Sequence, residues 1–117
     1  MKILDYFNQK ESTCYEKKKQ LQSEDRNDEA VFEKIKANVY NIFRTVLSVS
    51  IKKYPNDSSK AHDDFFNKLD QISSQWVIAY EKAEQHNDVE KMHIENIKLN
   101  VVKDIRETIP QLWEETA

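Results

Sequence analysis

The densest apolar run in the chain covers residues 39–51. Extended back to residue 32, its apolar positions recur at alternating spacings of three and four, which is typical of one face of an α-helix. We call these positions the first row: Phe32, Ile35, Val39, Ile42, Val46 and Val49. The pattern predicts a helix over residues 28–54 that forms the centre of the fold.

A second apolar row lies beside the first on the same predicted helix. It consists of Tyr40, Phe43, Leu47, Ile51 and Tyr54. Together the two rows cover roughly 200° of the helix surface, about twice the minimum for a helix with one buried side. We expect helices three and four to cover the first row. Arg44 lies on the remaining polar strip, and we expect it to be exposed or to pair with Asp70 or Glu81.

Three further helices are predicted around this one. The first covers residues 2–24, and polar breaks at 23–27, 55–59 and 84–88 separate the others. Helix three carries a core row of Phe65, Leu69, Ile72, Trp76, Ala79 and Ala83. Helix four carries Ile94, Ile97, Val101, Ile105 and Ile109. Pro110 predicts either a kink or a short final helix with Leu112 and Trp113.

Polar residues at the three breaks predict how the helices begin and end. We expect Asn27 to cap helix two, Asp57 or its serine neighbours to cap helix three, and Asn87 with Glu90 to open helix four. The sequence contains no glycine. We therefore expect asparagine to take the left-handed position that glycine usually takes after a helix.

The fold class that follows is all-α, and the simplest architecture is a four-helix up-down-up-down bundle. Helix one has the weakest apolar face, because Glu11 and Lys18 interrupt its row of Ile3, Leu4, Phe7, Cys14 and Leu21. Two arrangements therefore stay open. In one, helix one completes the bundle; in the other, it packs outside helices two to four or is exchanged in a dimer.

Composition narrows the class of protein. The chain has 117 residues, enough for a single domain over 1–117, and a net charge of −3 with both signs interspersed. This balance indicates neither a nucleic-acid partner nor a membrane. One cysteine and no secretory signal predict a cytoplasmic protein, and the lysine and asparagine bias is typical of AT-rich bacterial genomes.

Few residues form a pattern that indicates chemistry. His86, Glu90 and His93 are spaced by four and three, so they share one side of a continuous helix. The Glu-x-x-His spacing occurs in carboxylate-bridged metal sites, but these need a second copy of the motif, and the sequence has none. We predict no catalytic residue, no cofactor and no metal, and keep a metal- or small-ligand-binding bundle at the Glu90/His93 end as the alternative.

The breadth of the apolar arc on helix two favours binding to another protein. If helix one does not cover the second row, a second molecule has to. The predicted partner-binding residues are Tyr40, Phe43, Leu47, Ile51 and Trp113. The sequence therefore predicts a non-catalytic helical bundle that acts by protein–protein interaction, with self-association into a homo-oligomer such as a dimer.

Overall fold

A computed structural model describes residues 2–116, and it consists of four helices joined by short turns. The helices are α1 (Lys2–Ser23), α2 (Asn27–Lys53), α3 (Ser58–Gln85) and α4 (Val89–Thr116). Consecutive helices are antiparallel neighbours, as the short connections require. The all-α four-helix bundle is therefore confirmed, and the predicted breaks fall where the turns are.

The ends of α1 and α3 are built in the same way. The second residue beyond the end of each helix has a positive φ, which is 59° at Asp25 and 56° at Asn87. The next amide bonds back across the last turn, from Arg26 to the Leu21 carbonyl at 2.8 Å and from Asp88 to the Ala83 carbonyl at 2.9 Å. This is the Schellman arrangement; asparagine takes the left-handed position after α3, as expected, whereas aspartate takes it after α1.

The predicted helix starts are right at one position and wrong at two. Asp57 caps α3 by accepting from the Lys60 amide at 3.0 Å. Asn27 is not the cap of α2, because it is the first residue of that helix; the cap position is Arg26, whose side chain makes no capping hydrogen bond. Asn87 does not open α4, because it already terminates α3. Asp88 accepts from the Lys91 amide at 3.1 Å instead.

α4 continues through Pro110 to Thr116 as one helix. The separate final helix that the proline allowed does not form within the described residues. Pro110 removes only one backbone hydrogen bond, and Ile109 and Trp113 on either side of it are buried. Burial on both sides of the proline therefore keeps the last turn in the bundle.

α2 and α4 form the centre of the bundle, because each of them contacts all three other helices. α1 and α3 lie on opposite sides of this pair and do not touch one another within the described residues. The bundle is flattened as a result, with extents of 47 × 36 × 20 Å. α1 packs against α2 and α4.

α1 is docked on its own chain. Ile3 and Phe7 have no exposed surface, and Cys14 is buried beside them. These three side chains belong to the same core cluster as the second row of α2. Of the two arrangements left open by the sequence, the structure shows the one in which α1 completes the bundle.

The two rows of α2 are covered differently from the prediction, although Val39 of the first row is buried as expected. In the second row, Phe43 and Leu47 have no exposed surface. In the first row, Ile42 is 39% exposed and Val49 is 48% exposed. The expectation that α3 and α4 cover the first row is therefore wrong for these two residues. Docking of α1 turns the second row toward the centre and leaves part of the first at the surface.

Candidate functional site

The partner-binding residues predicted on α2 lie inside the chain. Tyr40, Phe43 and Leu47 are buried, and Ile51 is half-buried against the same core. Their burial in a single chain removes the reason for expecting a partner there. A partner surface has to be sought among the apolar side chains that the bundle leaves exposed.

Trp113, the fifth predicted residue, lies at the end of the core where α3 begins. It is buried, its ring meets the edge of His62, and its indole N–H donates to the Ser58 hydroxyl at 2.9 Å. A buried tryptophan usually finds a partner for this N–H. Trp113 therefore joins the end of α4 to the start of α3.

Glu11, which interrupts the apolar row of helix one, meets Arg44 from the polar strip of helix two. Glu11 of α1 lies 3.3 Å from the Arg44 guanidinium of α2, which also donates to Asn8 at 3.0 Å. Burial raises the pKa of Glu11, and the charge of Arg44 opposes this shift. Arg44 therefore pairs with α1, and the expected pairing with Asp70 or Glu81 is wrong.

Sequence analysis missed the main polar cluster of the core, which joins three helices at Asp104. The Tyr6 hydroxyl donates to one carboxylate oxygen of Asp104 at 2.6 Å, and the Tyr40 hydroxyl donates to the same oxygen at 2.7 Å. Lys10 lies 3.7 Å from that oxygen. The one signal in the sequence is an acidic residue next to the apolar positions of helix four, with tyrosines on the facing helices.

The cluster shifts the pKa of all three groups. Burial raises the pKa of Tyr6 and Tyr40, and the hydrogen bonds to Asp104 raise them further. Burial acts to raise the pKa of Asp104 as well, but the two tyrosine hydroxyls and Lys10 together lower it. The carboxylate is thus stabilised as an anion and holds α1, α2 and α4 together.

The apolar surface that the bundle leaves open is a row on α2. We call it the α2 row: Val31, Ile35, Ile42, Val46 and Val49. Val31 is 53% exposed, Ile42 39% and Val49 48%. Ile35 and Val46 are half-buried. The five residues lie within about 60° of one another around the helix. They form a stripe on the side turned away from α1, with the uncharged Asn38 between Ile35 and Ile42.

The surface around the α2 row carries little charge between residues 37 and 51, although 33% of the chain is charged. Between Lys36 and Lys52, the only charged residue of α2 is Arg44, and it is turned toward α1. The neighbouring exposed side chains, Asn38 and Thr45, are polar and uncharged. Depletion of charge around exposed apolar residues distinguishes the core of protein interfaces from ordinary surface.

α3 carries a second uncharged segment next to α2. Residues 71–80 contain no charged residue, and Trp76 in this segment packs edge-on against Phe43 at 5.9 Å between ring centroids. Val77 and Ile78 are 41% and 51% exposed. Residues 71–80 are therefore a second uncharged stretch of the bundle.

Charge returns at the two ends of α2, with opposite signs. Asp28 and Glu29 lie in its first turn, and Lys52 and Lys53 lie in its last turn. This arrangement complements the helix dipole. Glu29 also pairs with Arg26, and Lys53 lies 4.0 Å from Asp64. Any partner laid along the α2 row therefore meets an acidic end and a basic end.

The histidines predicted as an alternative site are not brought together. His86 follows α3, Glu90 lies in the first turn of α4, and the His93 ring packs edge-on against Phe32 at 4.6 Å. Among the described residues, no group of three or more His, Cys, Asp or Glu side chains is arranged to hold a metal ion. A turn between His86 and Glu90 breaks the alignment that a continuous helix would give.

Cys14 is buried, with Glu33 and Lys36 of α2 nearby. Burial raises the pKa of its thiol, and the carboxylate of Glu33 raises it further. A raised pKa disfavours the thiolate, which is the reactive form. Cys14 therefore has the character of a structural cysteine.

A cavity of about 440 Å³ opens between the end of α1, the start of α2 and the start of α4. Its apolar lining is Leu21, Phe32 and Ile97, and His93 borders it. Lys17, Arg26 and Lys36 line it together with Glu24, Glu29 and Glu33. The charges of the lining therefore balance, and its size is that of a small-molecule site.

None of the four helices has, in the part of the chain that the structure describes, a stretch long and apolar enough to cross a bilayer. The candidate functional surface is the α2 row. Comparison of the chain with protein-family models, with curated proteins and with solved structures gave no match in any of the three.

Proposed function

We propose that this chain is a non-catalytic, cytoplasmic helical bundle that acts by binding another protein, including a second copy of itself. The observation that supports the proposal is the α2 row, an exposed aliphatic stripe in an uncharged surface. Exposed apolar residues that occur singly need no explanation, whereas a contiguous stripe of them is typical of an interaction site. The buried, unreactive Cys14 is consistent with a reducing compartment.

Replacing Ile42 by glutamate is expected to weaken this binding without unfolding the chain. The side chain is 39% exposed, so the carboxylate can reach water in the monomer but is desolvated in a complex. Light scattering of the wild-type chain at high micromolar concentration should give a mass above that of the monomer, and I42E should return it to 13.9 kDa.

Val89→Glu is the matched control for this experiment. Val89 is 73% exposed at the start of α4, outside the α2 row, so V89E makes the same change of charge without touching the surface. It should associate like the wild type. A wild-type chain that stays monomeric at high micromolar concentration contradicts self-association. Identical sets of proteins captured by immobilised wild type and I42E contradict protein binding through this surface.

A second candidate function, binding of a small ligand, is favoured by one observation, the cavity that His93 borders. A thermal-shift screen of small metabolites and of Zn²⁺, Mn²⁺ and Fe²⁺ on untagged protein tests it. Phe32→Trp, which adds volume to the cavity lining, should reduce any shift that arises there. The absence of any shift, with no metal in the purified protein, contradicts this function.

A further inference from the structure

We propose that the α2 row docks against the α2 row of a second copy of this chain, with the two α2 helices antiparallel and Ile42 on the two-fold axis. The inference rests on the proposed function and names the partner and the geometry of its surface. It is supported by two observations, the spacing of the row and the distribution of charge along α2.

Three of the five residues of the row are spaced symmetrically about Ile42, whereas Val46 and Val31 correspond to Asn38 and Lys53. Ile35, Ile42 and Val49 recur every seven residues. Seven-residue spacing is that of the seam between two helices that cross at a shallow angle. A two-fold rotation about Ile42 places Ile42 against its own copy and Ile35 against Val49 of the second copy. Each of the three aliphatic side chains then meets an aliphatic side chain.

The charges of α2 fit a second copy in one orientation only. Asp28 lies in the first turn and Lys52 in the last, and between residues 37 and 51 the only charged residue is Arg44, which pairs with α1. With Ile42 on the axis, antiparallel packing brings the acidic start of each helix to within about one helical turn of the basic end of the other, so the two charge pairs attract. It also opposes the two helix dipoles. Parallel packing would bring acid to acid and lysine to lysine.

The uncharged middle of the surface adds to this argument. Two copies can come together there without burying an unpaired charge, which would oppose association strongly. A two-fold contact uses the same surface on both copies, so assembly ends at the dimer. Because one helix from each copy supplies the main contact, we expect dissociation in the micromolar range.

Cysteine cross-linking tests the geometry. In an antiparallel pair centred on Ile42, I42C should form a disulfide-linked dimer on mild oxidation at micromolar concentration. I35C alone should not, because residue 35 is then about 21 Å along the helix from residue 35 of the other copy. A mixture of I35C and V49C should cross-link. The wild-type chain, with its buried Cys14, is the control and should stay monomeric on denaturing gels.

Exchanging the charges at the two ends of α2 is an independent test of the antiparallel orientation. D28K and K52E should each weaken dimerisation by about fivefold to thirtyfold, since each removes two surface ion pairs and introduces repulsion. The double variant D28K/K52E should return the Kd to within about twofold of wild type, because it restores the two pairs with reversed sign. K103E, at an exposed position on α4, is the control and should not change the Kd.

Three outcomes overturn the inference. Efficient cross-linking of I35C alone shows parallel packing. Absence of cross-linking in I42C and in the I35C/V49C mixture, while I42E still abolishes association, shows that the copies meet in another way and leaves the proposed function standing. A monomer at all concentrations removes the second copy as the partner, and the proposed function then depends on the capture experiment with I42E.

Discussion

Replacing Phe43 by glutamate is expected to unfold the chain, whereas the same replacement at the adjacent Ile42 leaves it folded. Phe43 has no exposed surface and packs against Trp76 in the core, while Ile42 is 39% exposed. A carboxylate at Phe43 would be buried without a partner, and the packing of the ring would also be lost. Together these terms are comparable with the entire stability of a small domain, about 5–15 kcal/mol.

Circular dichroism at 25 °C checks this contrast, with F43E expected to lose its helical signal and I42E to keep it. The milder variant F43A should stay folded and lose about 3–5 kcal/mol in the free energy of unfolding, measured with denaturant. A folded, monomeric F43E would show that Phe43 lies at a surface between molecules, as the sequence alone suggested. Such a result would contradict the docking of α1 on the second row.

Removing the carboxylate of Asp104 is expected to have the second largest effect. Asp104→Ala leaves the hydroxyls of Tyr6 and Tyr40 without their shared acceptor, and both hydroxyls are partly buried. Hydrogen bonds to a charged group contribute about 1.5–3 kcal/mol each, and partial exposure of this cluster reduces the sum. We therefore expect a loss of about 2–4 kcal/mol in denaturant unfolding.

A mutant cycle separates the hydrogen bonds from simple packing. Tyr6→Phe and Tyr40→Phe should each cost about 1–2 kcal/mol in the wild-type chain but much less in the Asp104→Ala chain, because their acceptor is already gone. Asp104→Asn keeps an acceptor and should cost less than Asp104→Ala. Additive effects across the cycle would show that the three residues do not act as a unit.

The same cluster sets the expected dependence of stability on pH. The pKa of Asp104 is lowered in the folded chain, so its contribution is present above the unfolded value of about 3.9 and is lost as the pH falls through the folded value. The pKa values of Tyr6 and Tyr40 are raised, so their contribution is present below about pH 10 and is lost above it. The stability difference between wild type and Asp104→Asn should therefore be constant from about pH 5 to 9 and shrink below about pH 4.

Much of the secondary structure follows from local sequence. The three- and four-residue spacing of apolar positions predicts all four helices, and the polar breaks at 23–27, 55–59 and 84–88 coincide with the turns. Asparagine in the left-handed position is likewise predictable, because a chain without glycine has few alternatives. The residue that caps each helix is less predictable. Asn27 and Asn87 have side chains that can cap a helix, but the backbone of the preceding turn decides which residue occupies the cap position.

The polar contacts between helices were not predictable in the same way. Glu11 interrupts the apolar row of α1, and Arg44 lies on the polar strip of α2. Nothing in the local sequence relates these two residues, which are 33 positions apart. Asp104 gathers its two tyrosines from α1 and α2. Such pairs depend on which residues of different helices reach the same height in the bundle, and this is set by packing over the whole length.

The sequence by itself determined the helices, their order and the two apolar rows on α2. The tertiary structure alone decided that the second row is buried and that Ile42 and Val49 of the first row reach the surface. Helical periodicity specifies which residues share a face, but it does not specify the rotation of the helix about its axis. That rotation depends on the neighbours that cover each face, and here the docking of Ile3, Phe7 and Cys14 of α1 turned the α2 row outward.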